Sequence, residues 1–240
     1  MAAFAPFAIG LLGLAGPAVL FALCAQASPG RAFRLGWVYG AGLMGFGVFW
    51  LRVSIAQFGG VSLPLAVAIT LLFSGVMALY YGFAAWLGVR LARPHRPAVL
   101  ALTLPAAWVL AEWLRGWLLT GFPWLALGYS QLELPSRGLA PLLGVYGVSL
   151  LVVFSAGCLL LWRRRWPPLL ALGLWLAAAG AAALDWGRPA GEPFRVGIVQ
   201  GNIEQKLKWR PERRLATLET YLRLTAQAAD SRLIVWPETA

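Results

Sequence analysis

Charge is scarce in this chain. Only 12% of its 240 residues are Asp, Glu, Lys or Arg, while 60% are hydrophobic and mean hydropathy is +0.72. A soluble domain carries far more charge, so an ordinary globular protein is excluded. Cysteine is nearly absent as well: Cys24 and Cys158 supply neither a disulfide framework nor a metal-ligand spacing. Lysine is missing before Asp185, where every basic residue is Arg. The opening Met1-Ala2-Ala3-Phe4-Ala5-Pro6 lacks a cationic leader, and with it the pattern of a cleavable signal. A net charge of +11 would suit a nucleic-acid binder, but its distribution argues against one. Most of the Arg residues sit in short gaps between apolar runs.

Those runs dominate the first three quarters of the chain. Spans are expected at about 6–26, 33–51, 62–89, 98–117, 139–162 and 168–185, each long enough to cross a hydrocarbon core of ~30 Å. Arg31 and Arg34 fill the first gap, Arg90, Arg93 and Arg96 the third, and Arg163, Arg164 and Arg165 the fifth. The even gaps hold only Arg52, then Arg115 and Arg137. Cytoplasmic loops carry the Lys/Arg excess, so the odd gaps are inside and the even gaps and everything after 185 are outside. Contact of the basic gaps with anionic headgroups is compatible with this and explains less. Six spans and an external C-terminal part put the N-terminus outside too. A preceding span would repair that topology, so truncation is expected at this end.

The spans are rich in glycine (Gly10, Gly13, Gly16, Gly40, Gly42, Gly45, Gly47), which lets helix backbones approach closely in lipid. Two external segments are unusual, Ser54–Gly60 and Leu119–Gln131. The second is too broken by Gly and Pro for a span and too aromatic for a solvated loop. It reads either as an aromatic belt at headgroup level or as a lipid-facing wall beside an active site. Glu112 and Arg115, three apart near the outer end of the fourth span, share one helix face. A carboxylate there needs a partner; the pair is either structural or a headgroup contact.

After Asp185 the character changes. Residues 1–185 form a helical membrane domain, 186–193 a Pro/Gly linker, and 194–240 the start of a second domain. Phe194–Gln200 reads as a short buried strand, Gly201-Asn202 as a turn, and Pro211 as a first helical residue. Leu215, Leu218, Leu222, Ala226 and Ala229 mark one face of a helix ending near Asp230. Arg232–Trp236 is a second strand, so strand, helix and strand make one βαβ crossover with parallel strands. Pro237 closes that strand. Glu238 then falls just beyond a carboxyl end, where α/β sheets place their chemistry. Taken alone, such a carboxylate is equally a surface charge or a helix cap.

The run Val196-Gly197-Ile198-Val199-Gln200-Gly201-Asn202-Ile203, a helix, and Ile234-Val235-Trp236-Pro237-Glu238 resemble the opening of the nitrilase (carbon–nitrogen hydrolase) superfamily. The membrane part narrows the match. Glu112–Trp117, Thr120–Trp124, Leu127–Gln131 and Gln205–Trp209 resemble the bacterial apolipoprotein N-acyltransferases, in order and over essentially the whole chain. The resemblance implies a multi-pass α-helical membrane domain followed by the first βαβ unit of an αββα nitrilase-like domain. It also implies an enzyme of the bacterial inner membrane with its catalytic part periplasmic. That enzyme moves an acyl chain from a phospholipid to the N-terminal amine of a diacylglyceryl-cysteine apolipoprotein, through a thioester on a Glu–Lys–Cys triad. No cofactor, metal or nucleic acid is implied.

Glu238 matches the family's general base. Trp209, Phe122, Pro123, Trp124, Tyr129, Gln131 and Arg115 are the expected substrate-binding residues. The family's Lys and Cys lie downstream of this sequence, so truncation is expected at the C-terminus as well, and these 240 residues alone are expected to be inactive. Cys24 and Cys158 sit in apolar helices that disfavour a thiolate, and Lys206 and Lys208 do not match the family's lysine. Two other functions fit less of the chain. One is a membrane-anchored nitrilase-type amidase acting on a small amide, which leaves the aromatic external segment unexplained. The other is a non-enzymatic membrane scaffold.

Overall fold

The computed structural model describes residues 2–92, 97–204, 208 and 210–238. The chain divides into two compact units, residues 1–186 and 187–240.

The first unit is helical: α1 (Leu12–Cys24), α2 (Pro29–Gly47), α3 (Leu51–Phe58), α4 (Leu63–Leu91), α5 (Pro97–Arg115), α6 (Ala140–Leu159) and α7 (Trp166–Ala182). Local chemistry sets several boundaries. Ser28 caps α2 by accepting the Arg31 amide, and Pro29 occupies the first turn, where a missing N–H costs nothing. Among the described residues, three helices are long and apolar enough to cross a membrane: α4, α5, and α6 extended back to Pro135. The pair α2 and α3, bent by 56°, makes a fourth if counted as one span. In place of the first and sixth expected spans stand α1 and α7, with 13 and 17 residues. At 1.5 Å per residue they measure about 20 and 26 Å, short of the ~30 Å core. The chain ahead of α1 is taken up by turns instead.

α2 packs along α4, α4 on α5, and α5 on α6, with α1 and α7 against α6. Their shared core contains Phe21, Met44, Tyr81, Leu104, Trp108 and Val152. Glycine makes the closest crossings. A Cβ at Gly40 would stand 3.0 Å from the Ala78 Cα and 2.7 Å from the Tyr81 ring. Gly10, Gly13, Gly16 and Gly47 likewise abut neighbouring segments, whereas nothing lies within 4 Å of a Cβ at Gly42 or Gly45. Packing therefore accounts for five of the seven glycines named above and not for those two.

The second unit holds β1 (Val196–Ile198), α8 (Arg214–Gln227) and β2 (Leu233–Val235). The strands pair in parallel, Gly197 opposite Ile234, and the Val199 amide extends the ladder to the Val235 carbonyl at 3.0 Å. Asn202 makes the expected turn with φ 51°. The face of α8 turned inward is not the expected leucine face. Thr217 and Tyr221 are its buried residues, while Leu215, Leu218 and Leu222 are exposed. Tyr221 packs against Gly201 and Trp236, and that contact fixes the roll of the helix. The strands are correspondingly open: Val196, Ile198, Leu233 and Val235 are exposed, and only Val199 is fully covered.

Candidate functional site

The site grows from the end of α5. Beyond Arg115 the backbone turns through three left-handed non-glycine residues, Leu119 (φ 55°), Thr120 (φ 74°) and Leu125 (φ 61°), with Gly121 at φ 79°. Each such non-glycine residue costs of order 1–3 kcal/mol and persists only where its surroundings hold it. Here α5 does the holding. Arg115 Nη1 donates to the carbonyls of Phe122 (2.7 Å) and Trp124, and the Phe122 amide returns to the Arg115 carbonyl at 2.7 Å. Glu112 Oε1 accepts the Leu127 amide and the Trp108 indole N–H, each at 2.9 Å. Gly128 donates to Ser149 Oγ of α6 at 2.7 Å, and Gln131 Nε2 donates to the Gly10 carbonyl at 3.0 Å.

Glu112 and Arg115 are both buried, 2% and 1% exposed, and each spends its hydrogen bonds on the loop or on α5. Among the described residues they form no direct ion pair, and Glu112 Oε2 and Arg115 Nε and Nη2 have no hydrogen-bond partner. Between the two readings from spacing, a mutual pair or a headgroup contact, the geometry selects a third role: together they fasten the loop.

The fastened loop forms one wall of an open groove of about 870 Å³. Pro123, Trp124, Leu125, Tyr129 and Leu132 line this side. Phe46, Phe49, Trp50 and Arg52, from the bend between α2 and α3, line the other. Of the expected substrate-binding residues, Pro123, Trp124 and Tyr129 meet at this groove. Phe122 stands behind it, stacked on Trp124 with ring centroids 5.3 Å apart and edge-on to Phe73 at 4.9 Å. Gln131 and Arg115 are interior. Trp209 lies outside the described residues. Glu238 belongs to the other unit, where it is exposed three residues beyond β2. The strand end is steadied by Trp236, whose indole donates to Thr225 Oγ1 at 2.9 Å and packs on Tyr221. Cys24 and Cys158 are buried in α1 and α6. Among the described residues, no group of three or more His, Cys, Asp or Glu is placed to hold a metal.

Sequence reasoning used Arg52 only to orient the spans and missed it as a groove residue. The available signal was Phe46 and Phe49-Trp50 beside a lone cation in an outer gap.

Apolar helices long enough to span, a groove walled by an irregular loop, and a second unit with a parallel strand–helix–strand define a membrane protein with an α/β unit. Residues 1–158 match the family model described as "Apolipoprotein N-acyltransferase N-terminal domain". The chain is 43% identical to the apolipoprotein N-acyltransferase of Methylococcus capsulatus, covering 99% of this chain and 48% of that protein. It is 42% identical to that of Coxiella burnetii (99% and 51%) and 44% identical to that of Azotobacter vinelandii (98% and 48%). The chain therefore belongs to the apolipoprotein N-acyltransferase family, and it spans about half the length of these curated relatives.

Proposed function

We propose that this chain is the membrane-embedded, lipid-gathering half of an enzyme that transfers an acyl group from a phospholipid to the N-terminal amine of a diacylglyceryl-cysteine lipoprotein. The aromatic groove beside the α5 loop is the observation that carries this reading. A nitrilase-type amidase acting on a small soluble amide has no use for an open apolar groove on a membrane unit. A scaffold has no use for a carboxylate delivered past a strand end.

In this reading the 187–240 unit is the first strand–helix–strand of an αββα domain, and the spanning helices of the first unit hold it at the periplasmic face of the inner membrane. Glu238 takes the proton of a cysteine thiol supplied by the rest of the enzyme. The thiolate attacks the phospholipid ester carbonyl, the thioester forms, and the departing lysophospholipid oxygen recovers the proton from Glu238. The lipoprotein amine then attacks the thioester, Glu238 accepts a proton from it, and the thiol is restored as the amide forms. A lysine, supplied like the cysteine by the rest of the enzyme, stabilises the oxyanion of each tetrahedral step. Both substrates keep their chains in the bilayer, so the groove need only align them. Such positioning supplies up to ~7–11 kcal/mol in favourable cases.

The test uses the full-length enzyme. Glu238→Gln abolishes thioester formation from labelled phosphatidylethanolamine while membrane insertion is unchanged. Normal turnover by that variant removes Glu238 from the mechanism.

A further inference from the structure

We propose that the groove between the α2–α3 bend and the Pro123–Leu132 segment is a glycerophospholipid site, in which Arg52 grips the phosphodiester and the aromatic walls hold an acyl chain. Its walls are apolar, with Phe46, Trp50, Trp124 and Leu132 all exposed along them. Among the described residues that line it, Arg52 is the one charge that interrupts them, and no carboxylate is there to neutralise it.

Arg52 is also held ready. It stands in the first turn of α3, immediately after the 56° bend, with Nη1 donating to the Phe49 carbonyl at 2.6 Å. Its guanidinium lies over the Phe49 ring, 4.0 Å from the centroid. Among the described residues the guanidinium makes no other hydrogen bond or ion pair. One edge of the guanidinium is thus anchored and the Nε/Nη2 edge is available. A planar fork of that kind matches two oxygens of a phosphodiester, and fixing the fork beforehand lowers the entropic cost of binding.

The phosphodiester also decides between the two lipids of the proposed reaction. The acceptor carries an ammonium group and no phosphate, so it offers the fork nothing to grip. The donor carries a phosphodiester, which matches the fork, and in phosphatidylethanolamine the ammonium sits at the far end of the headgroup. The groove is therefore the donor's. Naming the occupant as the donor rests on the acyl-transfer reading, but occupancy itself is measurable without turnover.

The experiment places the full chain in nanodiscs with photoactivatable lipids that carry a diazirine in one acyl chain. The probes are phosphatidylethanolamine, phosphatidylglycerol, diacylglycerol and a diacylglyceryl lipopeptide. Adducts at Trp50 and Leu132 are mapped by mass spectrometry, relative to adducts at exposed Leu170 on α7, so that expression and folding cancel. Both phospholipids should label the groove roughly tenfold more than diacylglycerol or the lipopeptide, the scale of one charge-assisted hydrogen-bonded contact. Arg52→Gln should abolish that preference, and Arg52→Lys, which keeps the charge without the fork, should retain a part of it.

Equal labelling by diacylglycerol, dominant labelling by the lipopeptide, or a preference that survives Arg52→Gln overturns the proposal. Acyl transfer is assayed separately in the full-length enzyme. Phosphate-dependent labelling without any transfer sinks the acyl-transfer reading alone. Transfer with phosphate-indifferent labelling sinks this inference alone.

Discussion

Arg115 holds one wall of the groove in place without lining it. A guanidinium that is 1% exposed in an apolar bundle is costly unless its donors are used, and here one nitrogen serves two carbonyls of a strained loop. A lysine offers an ammonium on a single flexible stem and cannot reproduce that grip. Arg115→Lys should lower stability by about 1–3 kcal/mol, the cost of a buried acceptor left unmade. It should also open the 117–126 segment to protease. A melting temperature in detergent and a cleavage pattern that both match the parent chain would refute the fastening role. The helical spacing of Glu112 and Arg115 was readable in the sequence. Their turning to the loop instead of to each other was not, because it depends on left-handed turns at Leu119, Thr120 and Leu125. Leucine and threonine do not announce such turns as glycine does.

Among the elements, the crossing of α2 and α4 depends on an absent side chain. Leucine at Gly40 must displace the Ala78 backbone, because its first carbon already meets Ala78 Cα at 3.0 Å. Gly40→Leu should cost about 1–3 kcal/mol by overpacking, while Gly45→Ala, with nothing within 4 Å, should be neutral or mildly stabilising. Thermal unfolding of both variants in detergent checks the contrast, and equal losses would remove the crossing from the account. Long apolar runs identified α2, α4, α5 and α6 directly. They overestimated α1, because hydropathy counts residues and is blind to the turns that consume residues 2–11, whereas α7 differs from its expected range by only a few residues at each end. The roll of α8 was misjudged for a related reason. Periodicity pointed to its leucines, and the stacking of Tyr221 on Trp236 overrode it.

At the scale of the molecule, the break in composition near Asp185 was legible because Pro, Gly and charge replace twenty-residue apolar runs. The structure divides the chain at Trp186. Arginine-rich gaps predict which side of the bilayer each unit occupies, and a reporter tests it. Alkaline phosphatase fused after Trp186 should be active, and a green fluorescent protein at the same position dark. The reverse pattern refutes a periplasmic catalytic part. The 240 residues alone should transfer no acyl group from labelled phosphatidylethanolamine to a lipopeptide, and any transfer would refute the missing-nucleophile account. The loop behind Trp124 is bolted from the rear, through Arg115, Glu112 and Ser149, to two separate helices. A panel mounted that way is a fixed wall more than a hinged gate. In the proposed reading fatty tails slip past it edgewise from the surrounding leaflet, and arrival becomes a matter of diffusion in the plane, with no moving door to wait for.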